Sequence, residues 1–170
     1  MTRGIDLDDL MPSDAEEGTR LTTEAVLAAW NRALEHRHSD PERSIASAHA
    51  LLKTVCRHVL DRRGVTHSDS LDLPVLMKMT AEQLDLAPTQ RSATVSKRLF
   101  AGAASVVDGL SSLPNVIGDF REYGWPDKRT ARHAQLAVNM AGAVALFLVQ
   151  AWEARVEDDL LEIIDDSKGG

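Results

Sequence analysis

The chain holds a single cysteine, Cys56. That rules out an internal disulfide framework and any zinc site built on paired cysteines, and it suits a reducing, cytoplasmic setting. Aromatic residues are scarce at 4%, and no stretch alternates apolar with polar residues over the length of a strand, so a β-sandwich or barrel is not expected. No Gly-rich phosphate loop and no Ser-His-Asp arrangement stands out. Among the histidines, His36 and His38 fall on different faces of a helix, while His49 and His67 stand alone. No metal and no cofactor is therefore expected. The N-terminus lacks a basic stretch leading into an apolar core, so no secretory leader is expected. A membrane span needs about 20 unbroken apolar residues, and the longest apolar run is interrupted by Asn139 and Gln150, which reads as the central helix of a bundle.

What is present is helical periodicity in a body flanked by acidic ends. The net charge of -7 is unevenly spread. Residues 1–20 hold six acids and two bases, and residues 153–170 hold seven acids and two bases. Those contributions of -4 and -5 leave the body at +2, so overall acidity does not argue against a polyanionic ligand. The expected organisation is an acidic, disordered segment over 1–20, a helical domain over 21–155 and an acidic amphipathic tail over 156–170.

Helix starts and stops are well marked. Thr22-Thr23 caps a first helix running to about His38, with Val26, Leu27, Trp30 and Leu34 as its apolar face. Asp40-Pro41-Glu42 opens a second, with Ile45, Ala48, Leu52, Val55, Cys56, Val59 and Leu60 on one stripe and Gly64 beyond its end. Leu73-Pro74 opens a third carrying Leu76, Met77, Met79 and Leu84. Pro88-Thr89 precedes a fourth carrying Val95, Leu99, Ala103, Val106 and Leu110. The last runs from about Ala131 past Trp152 and is apolar nearly all round, through Leu136, Val138, Met140, Val144, Leu146, Phe147, Leu148 and Val149. The fold class is all-α, a bundle of four to five helices with a long C-terminal helix. Small residues at Ala101–Ser105 and Met140–Ala145 suit close helix contacts.

Four stretches carry a resemblance: Ser44 to Val59 (SIASAHALLKTVCRHV), Asp72 to Leu86 (DLPVLMKMTAEQLDL), Val106 to Asp119, and Arg132 to Arg155 (RHAQLAVNMAGAVALFLVQAWEAR). Together they resemble the C-terminal domain of abortive-infection proteins, a member of the HEPN superfamily of helical bundles. The resemblance implies phage defence, a homodimer joined through the last two helices, and metal-independent RNA cleavage by an arginine and a histidine. In this version of the family the pattern is Leu-Arg-Asn-x-x-Gly-Asp-x-His-Gly. Asn115, Gly118 and Asp119 match it, but the arginine falls on Pro114 and the histidine on Arg121.

That departure has a chemical consequence. Metal-free RNA cleavage needs a group titrating near neutrality to take the 2′-hydroxyl proton. It also needs a cation for the charge developing on phosphate. Arg121 stays protonated and cannot be the base, and Pro114 offers neither charge nor side-chain donor. The expectation is thus a domain that has lost catalysis and serves in RNA or nucleotide binding or in dimerisation. The candidate phosphate- and base-contacting residues are Asn115, Asp119, Arg121, Trp125, Lys128, Arg129, Arg132 and His133. Capping of local turns equally accounts for Asn115 and Asp119, and packing on the bundle equally accounts for Trp125.

Two alternatives remain open. One is a ribonuclease with a displaced site built from Arg121, Arg132 and His133. The other is a structural adaptor that recruits a protein partner through its acidic tails. In that second tail, Val156, Leu160, Ile163 and Ile164 align if the last helix continues, although acids at a helix C-terminus oppose the dipole and favour fraying. Arg57, His58, Arg62 and Arg63 at the end of the second helix are explained by the same dipole.

Overall fold

The computed structural model describes residues 21–86 and 127–168, with isolated helical positions at Gly102, Ala103, Ser105, Val106 and Gly109 between them. The architecture is all-α, as the periodicity implies. The described helices are α1 (Thr23–Glu35), α2 (Pro41–Arg62), α3 (Leu73–Gln83) and the long α4 (Asp127–Lys168). The fourth expected helix lies mostly outside the described residues, with Ala103 and Val106 packed against the core.

Each start signal acts through its backbone. Thr22 Oγ1 accepts from the Ala25 N–H at 3.2 Å, and Asp40 Oδ1 accepts from the Arg43 N–H at 3.1 Å, with Pro41 in the first turn of α2. These bonds satisfy donors that have no partner inside the helix. Gly64 leaves α2 at φ +68, a conformation in which a Cβ is penalised. α1 stops at Glu35 rather than near His38. The chain turns there because the Asp40 N–H donates to the His36 carbonyl at 2.8 Å, which brings Asp40 round to cap α2.

The stripe expected on α2 is buried along its whole length: Ile45, Ala48, Leu52, Val55, Cys56, Val59 and Leu60. Leu76 and Met77 of α3 and Leu84 just past its end join it, while Met79 is partly buried. On α1 the inward side is set by Val26 and Ala33, so Leu27 is exposed and Trp30 and Leu34 sit at the core's margin. A hydroxyl ties α1 to α2, with Ser44 Oγ donating to the Ala33 carbonyl at 2.7 Å in a buried setting. Thr80 Oγ1 of α3 donates to the Leu76 carbonyl at 2.8 Å. Cys56 behaves as a small hydrophobe. It is fully buried, and burial pushes its thiol up to about 11, against a smaller lowering by the Thr80 hydroxyl.

α4 starts four residues earlier than expected, at Asp127. An acid is favoured in a first turn and nothing in Lys128-Arg129-Thr130 breaks a helix. It then runs 42 residues without interruption to Lys168, about 63 Å at 1.5 Å per residue. It is long and apolar enough to cross a membrane, but half of that apolar window is buried against its own bundle. Ala134, Ala141, Ala145, Leu148 and Val149 face the core. Gly142 lies under the flat face of the Trp30 indole, where a Cβ would overlap Cγ, Cδ2 and Cε2 of the ring. The small residues of α4 therefore serve a close approach by α1 within the bundle.

Candidate functional site

Of the candidate residues, Asn115, Asp119, Arg121 and Trp125, together with Pro114, lie outside the described residues. Lys128 and Arg129 fall in the first turn of α4. Arg132 and His133 are described and exposed. Because α4 begins at Asp127, they are its sixth and seventh residues. Their own N–H groups lie beyond the first four, which alone lack intrahelical partners. The free amides of the helix end therefore do not belong to this pair.

The opposite end of the bundle gathers charge that the sequence placed only as a helix terminus. Arg63 Nη1 meets Asp159 Oδ2 at 3.3 Å, and Arg155 Nη1 meets Asp85 Oδ2 at 2.9 Å. Arg57 Nη2 donates to the Asp69 carbonyl at 2.6 Å. These arginines tie α4 to the ends of α2 and α3 and order the loop after α2. They act as clamps between these elements. Glu153 plays the same part from the other side, accepting from the Thr23 N–H and the Thr23 hydroxyl at 3.3 and 3.0 Å. In doing so it satisfies a second free donor of α1.

Two of the isolated histidines have neighbours. His67 Nε2 lies 2.7 Å from Asp61 Oδ1. His49, near Lys53 and Asp72, has its pKa lowered by burial and then by Lys53, with Asp72 opposing. His58 packs edge-on to Trp152, with centroids 6.4 Å apart and planes at 86°. Its pKa is lowered by burial and then by Arg62, with Asp61 opposing. No sequence signal announces the His58–Trp152 pair, since nearly a hundred residues separate the partners. Among the described residues no three His, Cys, Asp or Glu side chains group as a metal site.

A pH dependence follows. A histidine whose folded pKa is depressed takes up a proton on unfolding, so the unfolded state binds more protons and stability rises with pH. The contribution of His49 and His58 is complete above the unfolded value of about 6.5 and is lost as pH falls from there through their folded values. The urea midpoint should therefore drop on moving from neutral pH into the mildly acidic range, and the drop should shrink in His49→Gln/His58→Gln. An equal drop in that double variant would assign the acid sensitivity elsewhere.

A long terminal helix, with half of its apolar window buried, completes an all-α bundle. The Abi_C model, described as a HEPN-like domain, matches residues 24–152, about three quarters of the chain. The chain belongs to that family, the abortive-infection group the sequence resembles. No curated protein and no solved structure matches it.

Proposed function

We propose that this is a non-catalytic HEPN-like module of a phage-defence system, acting in the cytoplasm, which binds RNA or a nucleotide and pairs with a second copy of itself. The observation that carries the reading is the pair of positions Pro114 and Arg121, where the family's arginine and histidine would fall. The permanent cation can still hold a phosphate, while the two exchanges together remove one cation and the proton acceptor. Arg132 and His133, exposed on the second turn of α4, support a ligand-facing role for the start of that helix. With Arg121, Lys128 and Arg129 they concentrate positive charge in a short stretch of chain, and Trp125 supplies a face for a base to stack on.

Fluorescence anisotropy with a single-stranded RNA oligomer tests this, with a gel of the same sample to read RNA length. The expected result is binding that weakens steeply with salt while the RNA stays intact. Arg121→Ala/Arg132→Ala should reduce the slope of log affinity against log salt by about one for each phosphate left without its cation. Cleavage that disappears in His133→Ala would replace this reading with a displaced ribonuclease site on Arg121, Arg132 and His133. Absence of any RNA binding would replace it with an adaptor working through the acidic tails.

A further inference from the structure

Along the bundle α4 carries an exposed line through Leu136, Met140 and Phe147 on the side away from the core. Its inward side runs through Ala145, Val149, Trp152 and Val156, the first two buried and the last two partly buried. Steps of four, three and four keep these residues on one helix face. Two further steps, of four and three, reach Leu160 and Ile163, with Ile164 beside them. The core-facing side thus continues past the end of the core. Leu160, Leu161, Ile163 and Ile164 are 54%, 60%, 65% and 49% exposed, and every residue from 160 to 168 is exposed, about 13 Å of helix. The root of this projection is pinned: Glu153 accepts from Thr23, Arg155 meets Asp85, and Asp159 meets Arg63. The match to the family ends at Trp152, so the projection lies outside the matched domain.

Single exposed aliphatics are ordinary, but these four stand together and form a patch. Charge selects what covers it. Residues 157–168 carry six acids and one base. Asp159 is paired with Arg63 and Arg155. Glu162 and Asp166 follow it at steps of three and four, along one border of the aliphatic face. Asp158, Glu162 and Asp166 stand four residues apart, where like charges destabilise a helix, and acids in the last turns oppose its dipole. Cations laid alongside offset both costs. RNA, an anionic membrane surface and the tail of a second copy all carry the same sign as this border. So does the segment of residues 1–20, with six acids and two bases. What fits is an apolar stripe edged with positive charge, the face of a basic amphipathic helix on a different protein.

We infer that the projecting end of α4 is a docking surface for a cationic amphipathic helix of a partner protein. That helix sits on Leu160, Ile163 and Ile164, with its lysines or arginines against Glu162 and Asp166. The inference goes beyond RNA binding and self-pairing and needs neither. The probe is a fluorescent peptide of leucine and lysine about four turns long, its leucines at steps of three and four. Anisotropy with the full chain should show saturable binding that weakens with salt. Leu160→Ser/Ile163→Ser should weaken it at least about tenfold at an unchanged thermal midpoint, because both positions are exposed. Glu162→Gln/Asp166→Asn should weaken it and flatten its salt dependence. The same composition in scrambled order should bind at least about tenfold more weakly, and a version with glutamate for lysine should not bind. Absence of saturable binding, indifference to Leu160→Ser/Ile163→Ser, or equal binding of ordered and scrambled peptides overturns the proposal. So does self-association, seen by sedimentation equilibrium without peptide, that disappears in Leu160→Ser/Ile163→Ser, since the face then belongs to a second copy. RNA anisotropy on the same proteins reports on RNA binding separately.

Discussion

Gly142→Ala is expected to lower the thermal midpoint by about 2–10 °C, the shift for a net loss of roughly 1–3 kcal/mol in a chain of this size. The direction is opposite to intrinsic propensity, by which alanine in a helix interior gains up to about 1 kcal/mol over glycine. Packing wins because the added Cβ would coincide with the indole of Trp30, so the ring must leave its seat between α1 and α4. Among the described residues Trp30 Nε1 is buried without a hydrogen-bond partner, so there the ring is held by contact area and shape. The test is a double-mutant cycle. In a Trp30→Ala background, itself destabilised, the same Gly142→Ala change should turn stabilising, because propensity then acts unopposed. If Gly142→Ala is equally harmful with and without the indole, the Trp30–Gly142 contact does not set the spacing of the two helices.

Helix existence and the inward stripe of α2 were legible because their physics is local. Thr22, Asp40, Pro41 and Gly64 act on neighbouring backbone groups, and a 3.6-residue period needs no knowledge of what lies across the core. The Gly142–Trp30 contact was half legible. Small residues from Met140 to Ala145 signalled a close approach but could not name the partner helix. The line of exposure on α4 was not legible at all. In a helix apolar on every side, Leu136, Met140 and Phe147 carry the same sequence signal as Ala134, Val138 and Leu148. Only the placement of neighbouring helices separates exposed from buried. The ends of α1 and α4 shifted for a related reason, since a turn made by Asp40 and a permissive Asp127-Lys128-Arg129-Thr130 leave no sharp local mark. At the candidate site, Arg132 and His133 were correctly placed near the start of the last helix. An earlier start nevertheless moves them past its free amides.

Restoring the family's pair makes the strongest demand on the proposed loss of chemistry. Pro114→Arg/Arg121→His rebuilds the pattern Leu-Arg-Asn-x-x-Gly-Asp-x-His around the existing Leu113, Asn115, Gly118 and Asp119. It returns a cation for the phosphate and an imidazole that titrates near neutrality. A positioned general base alone contributes about 10²–10⁴ in rate, so the double variant should cut single-stranded RNA at least about a hundredfold faster than the wild type. The activity should persist in EDTA, because neither restored group needs a metal. Pro114→Arg alone lacks the base and should stay near background, and Arg121→His alone should recover less than the pair because charge on the phosphate goes uncompensated. Pro114→Arg/Arg121→Ala separates the imidazole from mere removal of the guanidinium, and it should be silent. A double variant that is folded, binds RNA and still leaves it intact would show that these two positions are not where the family's chemistry resides, and the case for a vanished active site would have to be rebuilt on other residues.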